Sequence, residues 1–222
     1  QDEVVSNHKQ FAPYFRGTSN VYLAMKYGVP PIGTVAHQWF MAHQAKTGFR
    51  NSNYNAQEAW SDRNLYDGDL GIALPDTLTT EVYLRELTRK QAKLWDGYRL
   101  DSGNLLNKAM LIARFIERVY DIDPLTKIWT PSDSLDVEKT IAFRDGMVNF
   151  LGSPKAKITA GIGTFMGNDC GYKPRNIVIK PTAFNFGQGW QPVVKLSDTN
   201  GKNMGLPEVL RRGREELQIP LG

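Results

Sequence analysis

Short apolar stretches alternate with longer stretches of helical periodicity through the middle of the chain. The apolar stretches, which predict buried strands, occupy residues 70–74, 97–100, 127–130 and 157–163. The stretches with apolar residues at helical spacing occupy residues 79–95, 104–120 and 135–148. Because strand and helix alternate with short connections, the pattern predicts parallel strands joined by right-handed helical crossovers.

The amino-terminal part has a less regular pattern. Residues 1–16 are a polar lead-in with a few aromatic residues, and helices are predicted over 21–27 and 37–46, with a short strand at 32–35 between them. Residues 49–69 are rich in Asn, Asp, Ser and Gly. This composition predicts a long loop with one helical turn near its middle.

The carboxyl-terminal part predicts a hairpin followed by a helix. The apolar stretches 176–180 and 191–198 flank a turn-rich segment, so the two are expected to pair antiparallel. The last helix is predicted over 206–217.

The fold class that follows is α/β, with two candidate architectures: a portion of a parallel β/α barrel, or an open doubly wound sheet. A complete eight-unit barrel needs about 250 residues. The chain has 222 residues and only four or five clear strand–helix units. If the architecture is a barrel, the chain supplies a little over half of it.

Composition and charge narrow the class of protein. Hydrophobic residues make up 41% and charged residues 23%, which excludes disordered, collagen-like and coiled-coil proteins. The net charge of +4 has no long basic run, so we expect small anionic ligands rather than nucleic acid. The single cysteine excludes a disulfide framework and predicts a reducing compartment, the cytoplasm. No apolar run is long enough to span a membrane, and the polar start is unlike a signal peptide.

Aspartates and glycines follow the predicted strands at intervals of about one strand–helix unit. Asp76, Asp101 and Asp133 follow three of them, and Gly161-Ile162-Gly163-Thr164 falls at the end of the fourth. In a parallel fold these positions meet at the carboxyl edge of the sheet, where ligands bind. The alternative is that each Asp-Ser or Asp-Thr pair only caps the next helix. The glycine turn matches neither a Walker motif nor a dinucleotide-binding fingerprint.

His37 lies at another predicted strand-to-helix junction. An imidazole there can act as a nucleophile or a proton shuttle, and the alternative is a hydrogen-bonded core histidine. His43 is six residues further on and faces another side of the helix, so the two do not form a metal pair. His8 is expected to be solvated.

A series of motifs resembles one enzyme family in its order along nearly the entire chain. The matching segments are RGTSNVYLAMKYGVPPIGTVAHQWFMAHQ, GIALPDTLTTEVYLRE, GYRLDSG, TPSDSLD, AGIGT, KPRNIVIK and VVKLSD. They resemble the carboxyl-terminal half of the nicotinate phosphoribosyltransferases. The resemblance implies a partial type II phosphoribosyltransferase barrel that lacks its amino-terminal part.

The resemblance also implies an activity in NAD salvage. Family members join nicotinate to phosphoribosyl pyrophosphate, and couple the reaction to ATP hydrolysis through a phosphohistidine. ATP is therefore the implied co-substrate, and Mg²⁺ is expected to arrive on the substrate phosphates rather than in a protein metal site. The resemblance also implies that the protein forms a homodimer and that its site is completed by a missing amino-terminal half or by a second subunit. Neither nucleic acid nor a membrane is an expected partner.

The resemblance carries roles onto particular residues. His37 matches the phosphohistidine, and Asp101 and Asp133 are the implied catalytic carboxylates. The implied substrate- and phosphate-binding residues are Gly17, Thr18, Ser19, Asn20, Arg99, Ser102, Gly103, Ser134, Gly161, Gly163 and Thr164.

The chain divides into three parts on this basis. Residues 17–48 form the phosphohistidine segment, 70–181 the strand–helix units, and 182–222 the closing hairpin and last helix. Three alternatives remain: a nicotinamide phosphoribosyltransferase, an unrelated barrel enzyme with the same phosphate site, and an inactive fragment or paralogue that only binds phosphate ligands or a partner. Gln38, which replaces the usual glutamate after the histidine, favours the inactive alternative.

Overall fold

The computed structural model describes residues 1–11, 14–62, 70–168, 171–173, 178–199 and 201–220. Helices α1 to α10 span Asp2–His8, Val21–Tyr27, His37–Thr47, Ser52–Trp60, Thr80–Glu86, Arg89–Leu94, Leu105–Tyr120, Val137–Leu151, Thr164–Gly167 and Pro207–Leu217. Strands β1 to β6 span Ile72–Ala73, Gly97–Leu100, Ile128–Pro131, Lys157–Ile158, Ala183–Asn185 and Trp190–Pro192. Short 3₁₀ turns cover Lys9–Phe11 and Pro124–Thr126.

The first four strands form one parallel sheet in chain order, β1-β2-β3-β4. The predicted α/β class with parallel strands is therefore confirmed. Sequential order is the arrangement of a barrel sector, whereas the strand order of a doubly wound sheet reverses at a switch point. All four carboxyl ends point to the same edge, so the loops after these strands lie next to one another.

The main core lies between this sheet and the long helices α7 and α8. Tyr98 and Trp129 are fully buried on β2 and β3, and their rings stack with centroids 5.7 Å apart. Gly97 opens β2 because a β-carbon there would lie 2.1 Å from the carbonyl oxygen of Ile128. Helix α7 presents Ile112 and Ile116 to the same core.

A second, smaller core joins the carboxyl-terminal segment to the loop after β1. Leu78 and Leu196 lie opposite each other in an isolated parallel bridge, and both are fully buried with residues of α10. The amide of Leu196 donates to the carbonyl of Thr77 at 2.8 Å, and the amide of Thr79 donates to that of Leu196 at 2.8 Å. The buried side-chain amide of Gln44 donates from Nε2 to the carbonyl of Val194 and accepts at Oε1 from its amide, both at 2.9 Å. These two hydrogen bonds connect α3 to the carboxyl-terminal segment.

The prediction of a loop over 49–69 is wrong for its first half, because α4 covers Ser52–Trp60. The helix lacks a local cap: its amino end is capped by the carboxylate of Glu86 on α5, which accepts from the amides of Asn51, Asn53 and Tyr54 at 2.9–3.3 Å. A partner more than 30 residues away leaves no signal in the local pattern. Residues 63–69 lie outside the described residues.

Three other element predictions need correction. The helix predicted over 79–95 is two helices, because Thr88 forms a capping box with Gln91 and starts α6 afresh. Residues 32–35 form no strand, although Thr18 and Pro31 make a single bridge just before them. The strand predicted over 157–163 is regular only over Lys157–Ile158, although the amides of Thr159 and Gly161 still donate to the β3 carbonyls of Trp129 and Pro131, at 3.2 and 3.0 Å.

The predicted hairpin exists with a different partner strand. β6 pairs antiparallel with β5, Ala183–Asn185, rather than with 176–180. Residues 178–180 are not a strand, and 176–177 lie outside the described residues. The turn-rich composition located the reversal, but side-chain hydropathy did not distinguish the pairing strand from its neighbour.

Candidate active site

His37 is the first residue of α3 and is only 5% exposed. Its Nδ1 lies 2.9 Å from Oγ1 of Thr77, in the loop after β1, and its Nε2 lies 3.1 Å from Oδ2 of Asp101, which follows β2. The imidazole is therefore held between the ends of two neighbouring strands. This is the carboxyl edge at which the sequence predicted a pocket.

Asp101 is a carboxylate with three polar neighbours. Besides His37, its Oδ1 accepts from Nη2 of Arg99 and from Oγ of Ser132, at 3.1 and 3.2 Å. Burial alone would raise the pKa of Asp101, but the hydrogen bond with His37 and the charge of Arg99 outweigh it and hold that pKa well below its usual value. The side chain is consequently an ionised hydrogen-bond acceptor.

The protonation of His37 follows from these neighbours. Burial lowers the pKa of His37 below its usual value, although the hydrogen bond with Asp101 and the charge of Asp76 oppose that change. In the neutral ring, Nε2 carries the proton because it faces an ionised carboxylate. Nδ1 then accepts a hydrogen bond from the hydroxyl of Thr77.

Asp76 is a second carboxylate beside the histidine. It is 2% exposed, and its Oδ2 accepts from the hydroxyl of Ser102 at 2.5 Å. Its Oδ1 lies 3.8 Å from Nε2 of His37 and has no hydrogen-bond partner among the described residues. Ligand atoms of His37, Asp76 and Asp101 all lie within 4.8 Å of one another, a spacing that a divalent cation can bridge.

Arg99 lies beside Asp101 and makes two further hydrogen bonds. Its Nε donates to Oγ of Ser132 at 2.7 Å and its Nη1 donates to Oγ1 of Thr34 at 3.1 Å. Because Arg99 lies on β2, Ser132 after β3 and Thr34 before α3, the guanidinium joins three segments. A planar fork held in this way is suited to a phosphate or a carboxylate.

Two lysines face the same group. Lys195 is 6% exposed, and its charge acts on both His37 and Asp101. Burial and the neighbouring Lys195 lower the pKa of the half-buried Lys180, which also faces Asp101 and Asp76. The charges of Arg99 and Lys195 thus act on Asp101, and Lys180 interacts electrostatically with both Asp101 and Asp76.

Other predicted binding residues line the same edge at its periphery. The amide of Gly161 donates to the carbonyl of Pro131 at 3.0 Å, which places the glycine turn beside Ser132, and Gly163 starts the short helix α9 with Thr164 as its first residue. Gly103 has a φ of 70° and donates its amide to Thr199 at 2.7 Å.

Asp133 is not part of the His37 group. Its Oδ2 pairs with Nζ of Lys202 at 2.6 Å, and its Oδ1 accepts from Ser134, whose φ is 51°. The three aspartates that share the strand-end pattern therefore separate in the fold. Asp76 and Asp101 contact the imidazole region, while Asp133 is held by a partner on the carboxyl-terminal segment.

Residues 17–20 make their contacts around α2. Thr18 forms the bridge to Pro31, and the side chain of Asn20 caps α2 by accepting from the amide of Leu23 at 3.1 Å. Gly17 has a φ of 140°, and a β-carbon on it would lie 2.1 Å from the carbonyl oxygen of Pro30. Ser19 is exposed. The hydrogen bonds described for these residues hold the chain reversal before α2 and do not reach His37.

Sequence reasoning missed Lys195, Lys180 and Thr34 as members of the site, whereas Ser132 lies in the loop 132–134 that the family resemblance places on the ribose and pyrophosphate side. Thr34 and Ser132 are hydroxyl residues beside recognised positions, so their closeness to Arg99 could have been inferred from the strand ends. Lys195 is brought next to Thr77 by the long-range bridge between Leu196 and Leu78. No local pattern carries that information.

A profile of the nicotinate phosphoribosyltransferase (NAPRTase) family matches residues 1–221. The chain belongs to this family. Among curated relatives, the nicotinate phosphoribosyltransferase of Chromohalobacter salexigens is 45% identical over 209 residues, which are 92% of this chain and 51% of the relative. The one from Methanosarcina mazei is 39% identical over 208 residues, 88% of this chain and 46% of the relative.

Solved structures from the family have the same fold. The nicotinate phosphoribosyltransferase of Porphyromonas gingivalis superposes with a TM-score of 0.88 at 37% identity, covering 98% of this chain and 55% of that one. The Vibrio cholerae enzyme gives a TM-score of 0.83 at 32% identity, covering 100% and 52%. The chain thus spans about half the length of the relatives it matches. No helix among the described residues is both long and apolar enough to cross a membrane.

Proposed function

We propose that this chain supplies the phosphohistidine half of an enzyme that transfers phosphoribosyl from phosphoribosyl pyrophosphate to nicotinate, giving nicotinate mononucleotide in NAD salvage. Membership of the family supports the reaction. The observation that carries the proposal is the buried imidazole of His37, held between Thr77 and Asp101 at the carboxyl edge of the parallel sheet. The name of the relatives favours nicotinate over the alternative nicotinamide.

ATP coupling would begin with phosphorylation of His37. The proton on Nε2 passes to the carboxylate of Asp101, and the electron pair of the broken nitrogen–hydrogen bond forms a bond to the γ-phosphorus. ADP leaves with the electron pair of the broken phosphorus–oxygen bond. Thr77 holds the other ring nitrogen and so fixes the direction of Nε2, which is the positioning on which phosphoryl transfer depends.

Phosphoribosyl transfer would use the same edge. The pyridine nitrogen attacks C1 of the ribose as pyrophosphate leaves, and the carboxylates of Asp101 and Asp133 stabilise the positive charge that develops on the sugar. Arg99 is placed to bind a phosphate. The free Oδ1 of Asp76 and the oxygens of Asp101 are donors of the type that Mg²⁺ prefers, with substrate phosphates and waters as its other ligands. Bound there, Mg²⁺ would neutralise charge on the leaving pyrophosphate.

Two further features of the enzyme belong to the proposal. We take the enzyme to be a homodimer, as the family resemblance implies. The single cysteine favours the cytoplasm, although Cys170 itself lies outside the described residues.

The test is made on the chain combined with the amino-terminal half of the Chromohalobacter salexigens relative, called here the complemented enzyme. Incubation with γ-labelled ATP should place label on His37 in an acid-labile, base-stable form. His37→Ala should abolish ATP hydrolysis and leave slow phosphoribosyl transfer, because ATP coupling shifts the equilibrium without forming the glycosidic bond. An active complemented enzyme that leaves His37 unlabelled would show that the coupling step is wrong.

A further inference from the structure

The side chain of Lys195 has an unusual environment. It is 94% buried by its relative exposure of 6%, yet its ammonium makes no hydrogen bond and no ion pair with the residues that the structure describes. The other deeply buried lysine, Lys127, shows the usual solution: its ammonium donates to the carbonyls of Lys93 and Trp95, at 3.2 and 2.6 Å. The Nζ atom of Lys195 is not one of the buried polar atoms without a partner, so the carbon chain is covered while the ammonium stays accessible to a ligand.

The backbone fixes the direction of Lys195. Leu196 lies opposite Leu78 in a parallel bridge, and both side chains enter the second core. Side chains alternate between the two faces of an extended segment, so the neighbours Lys195 and Thr77 lie on the opposite face. Thr77 contacts Nδ1 of His37 on that face. Lys195 therefore lies beside the residue that holds the imidazole.

The charges around the site point to an anionic ligand. Arg99 is already paired with Asp101, and nothing described pairs with the ammonium of Lys195, while Lys180 adds a third positive charge nearby. An anion bound beside Nε2 of His37 would lie next to Thr77, on the face of the bridged segments that also carries Lys195.

We propose that Lys195 binds the terminal phosphate of the phosphoryl donor and holds the phosphoryl group against Nε2 of His37. The assignment rests on the proposed function for the identity of the donor, and adds a residue on the carboxyl-terminal segment to the phosphorylation machinery. Lys195 takes no part in bond making: the γ-phosphoryl group passes from ATP to the nitrogen, and ADP leaves. The contact between Gln44 and Val194 holds the neighbouring backbone in register with α3.

The test compares Lys195→Met and Lys195→Arg with a matched control, Lys127→Met, which removes an equally buried lysine at the start of β3, away from the carboxyl edge. In the complemented enzyme, the rate of His37 phosphorylation is measured against ATP concentration. Loss of a charge-assisted contact predicts a rise in KM for ATP of roughly 10- to 100-fold for Lys195→Met. Lys195→Arg should retain most of the affinity, and Lys127→Met should leave KM unchanged while lowering stability.

A second measurement does not depend on ATP coupling. Inorganic phosphate is titrated into the complemented enzyme in the absence of ATP while the ¹⁵N signals of the His37 ring are followed by NMR. Saturable shifts that are lost in Lys195→Met and kept in Lys127→Met support the assignment even if no phosphohistidine forms, in which case only the coupling step of the proposed function fails. Lys195→Gln replaces Lys195→Met if the latter does not fold. The assignment is overturned if the Lys195 variants keep the wild-type KM and phosphate affinity, or if Lys127→Met changes them equally.

Discussion

At the scale of single residues, the site depends on how burial and hydrogen bonding act on one imidazole. Desolvation makes the charged form of His37 unfavourable, while the ionised Asp101 keeps a proton on Nε2. The result is a neutral ring with one defined tautomer. A solvent-exposed histidine would instead exchange between tautomers. The hydroxyl of Thr77 completes this by occupying Nδ1, so that only Nε2 faces the carboxylates.

The separation of Asp133 from His37 leads to a prediction that distinguishes two steps. Asp133→Ala should reduce phosphoribosyl transfer by the complemented enzyme roughly 10²–10³-fold, the usual loss for one electrostatic group. Phosphorylation of His37 should be unchanged, because Asp133 is paired with Lys202 and not with the imidazole group. Steady-state transfer kinetics and ATP labelling measure the two steps separately.

The control for that experiment is Asp136→Ala. Asp136 lies three residues away and caps α8 by accepting from the amide of Lys139 at 2.7 Å. Its removal should cost about 1 kcal/mol of stability and leave transfer intact. Equal transfer rates in the two variants would remove Asp133 from the site.

Gly163 allows a test of the glycine turn as a phosphate site. A β-carbon there meets nothing within 4 Å, but its φ of −104° is combined with a ψ of −94°, outside the regions that residues with a β-carbon favour. Gly163→Val should therefore lower the free energy of unfolding by about 1–3 kcal/mol through backbone strain. If the glycine turn holds a phosphate on its backbone amides, the same variant should lose phosphoribosyl pyrophosphate binding, measured by calorimetry with the complemented enzyme. Wild-type affinity would exclude the turn as a phosphate site.

At the scale of elements, helix ends are set by side chains from elsewhere in the chain. α4 is an example, since Glu86 on α5 accepts from three amides at its amino end. Burial raises the pKa of Glu86 although these three amides oppose the change. The pairing of the two helices thus depends on one carboxylate that bridges them.

Glu86→Ala should lower the free energy of unfolding by about 0.5–2 kcal/mol, the range measured for lost helix caps. The exposed Glu81 in the first turn of the same helix provides the matched control, and Glu81→Ala should change stability by less than about 0.5 kcal/mol. Urea denaturation of both variants measures the difference. Equal values would mean that α4 does not need this cap.

At the scale of the whole molecule, the described sheet is a sector of a barrel. β1 and β4 are its edge strands among the described residues. Large apolar side chains are also exposed, including Val21, Met25 and Ile179 at 71%, 76% and 79%. Unpaired strand edges and exposed apolar surface favour association with another chain. The relatives are about twice as long as this chain, so their additional residues are candidates for covering these edges and surfaces.

The 222-residue chain alone is therefore predicted to self-associate and to produce no nucleotide from nicotinate, phosphoribosyl pyrophosphate, Mg²⁺ and ATP. Catalytic groups must be held within about 0.5 Å by a rigid surrounding shell, and a barrel sector supplies only part of one. Light scattering and a mononucleotide assay measure both properties, and the complemented enzyme should recover activity. A monodisperse chain of 25.0 kDa with unaided turnover would contradict the prediction.

The sequence by itself determined the strand–helix alternation, the parallel sheet and the positions of His37, Arg99 and Asp101. These follow from hydropathy with a fixed period and from motifs at strand ends, which neighbouring residues along the chain encode. Helix α7 shows how far this holds: its apolar spacing, its Asn104 cap and the left-handed Asp121 at its end agree with the local pattern. The family was also recognisable, because its motifs lie in one order along the chain.

Only the tertiary structure decided which of the strand-end residues act together. Asp76 joins Asp101 at the imidazole, whereas Asp133 follows the same local pattern and pairs with Lys202 instead. Lys195 reaches the site through a bridge between segments more than 100 residues apart. Such contacts depend on how the chain packs three-dimensionally, and the packing energy of a distant segment has no counterpart in local periodicity or propensity.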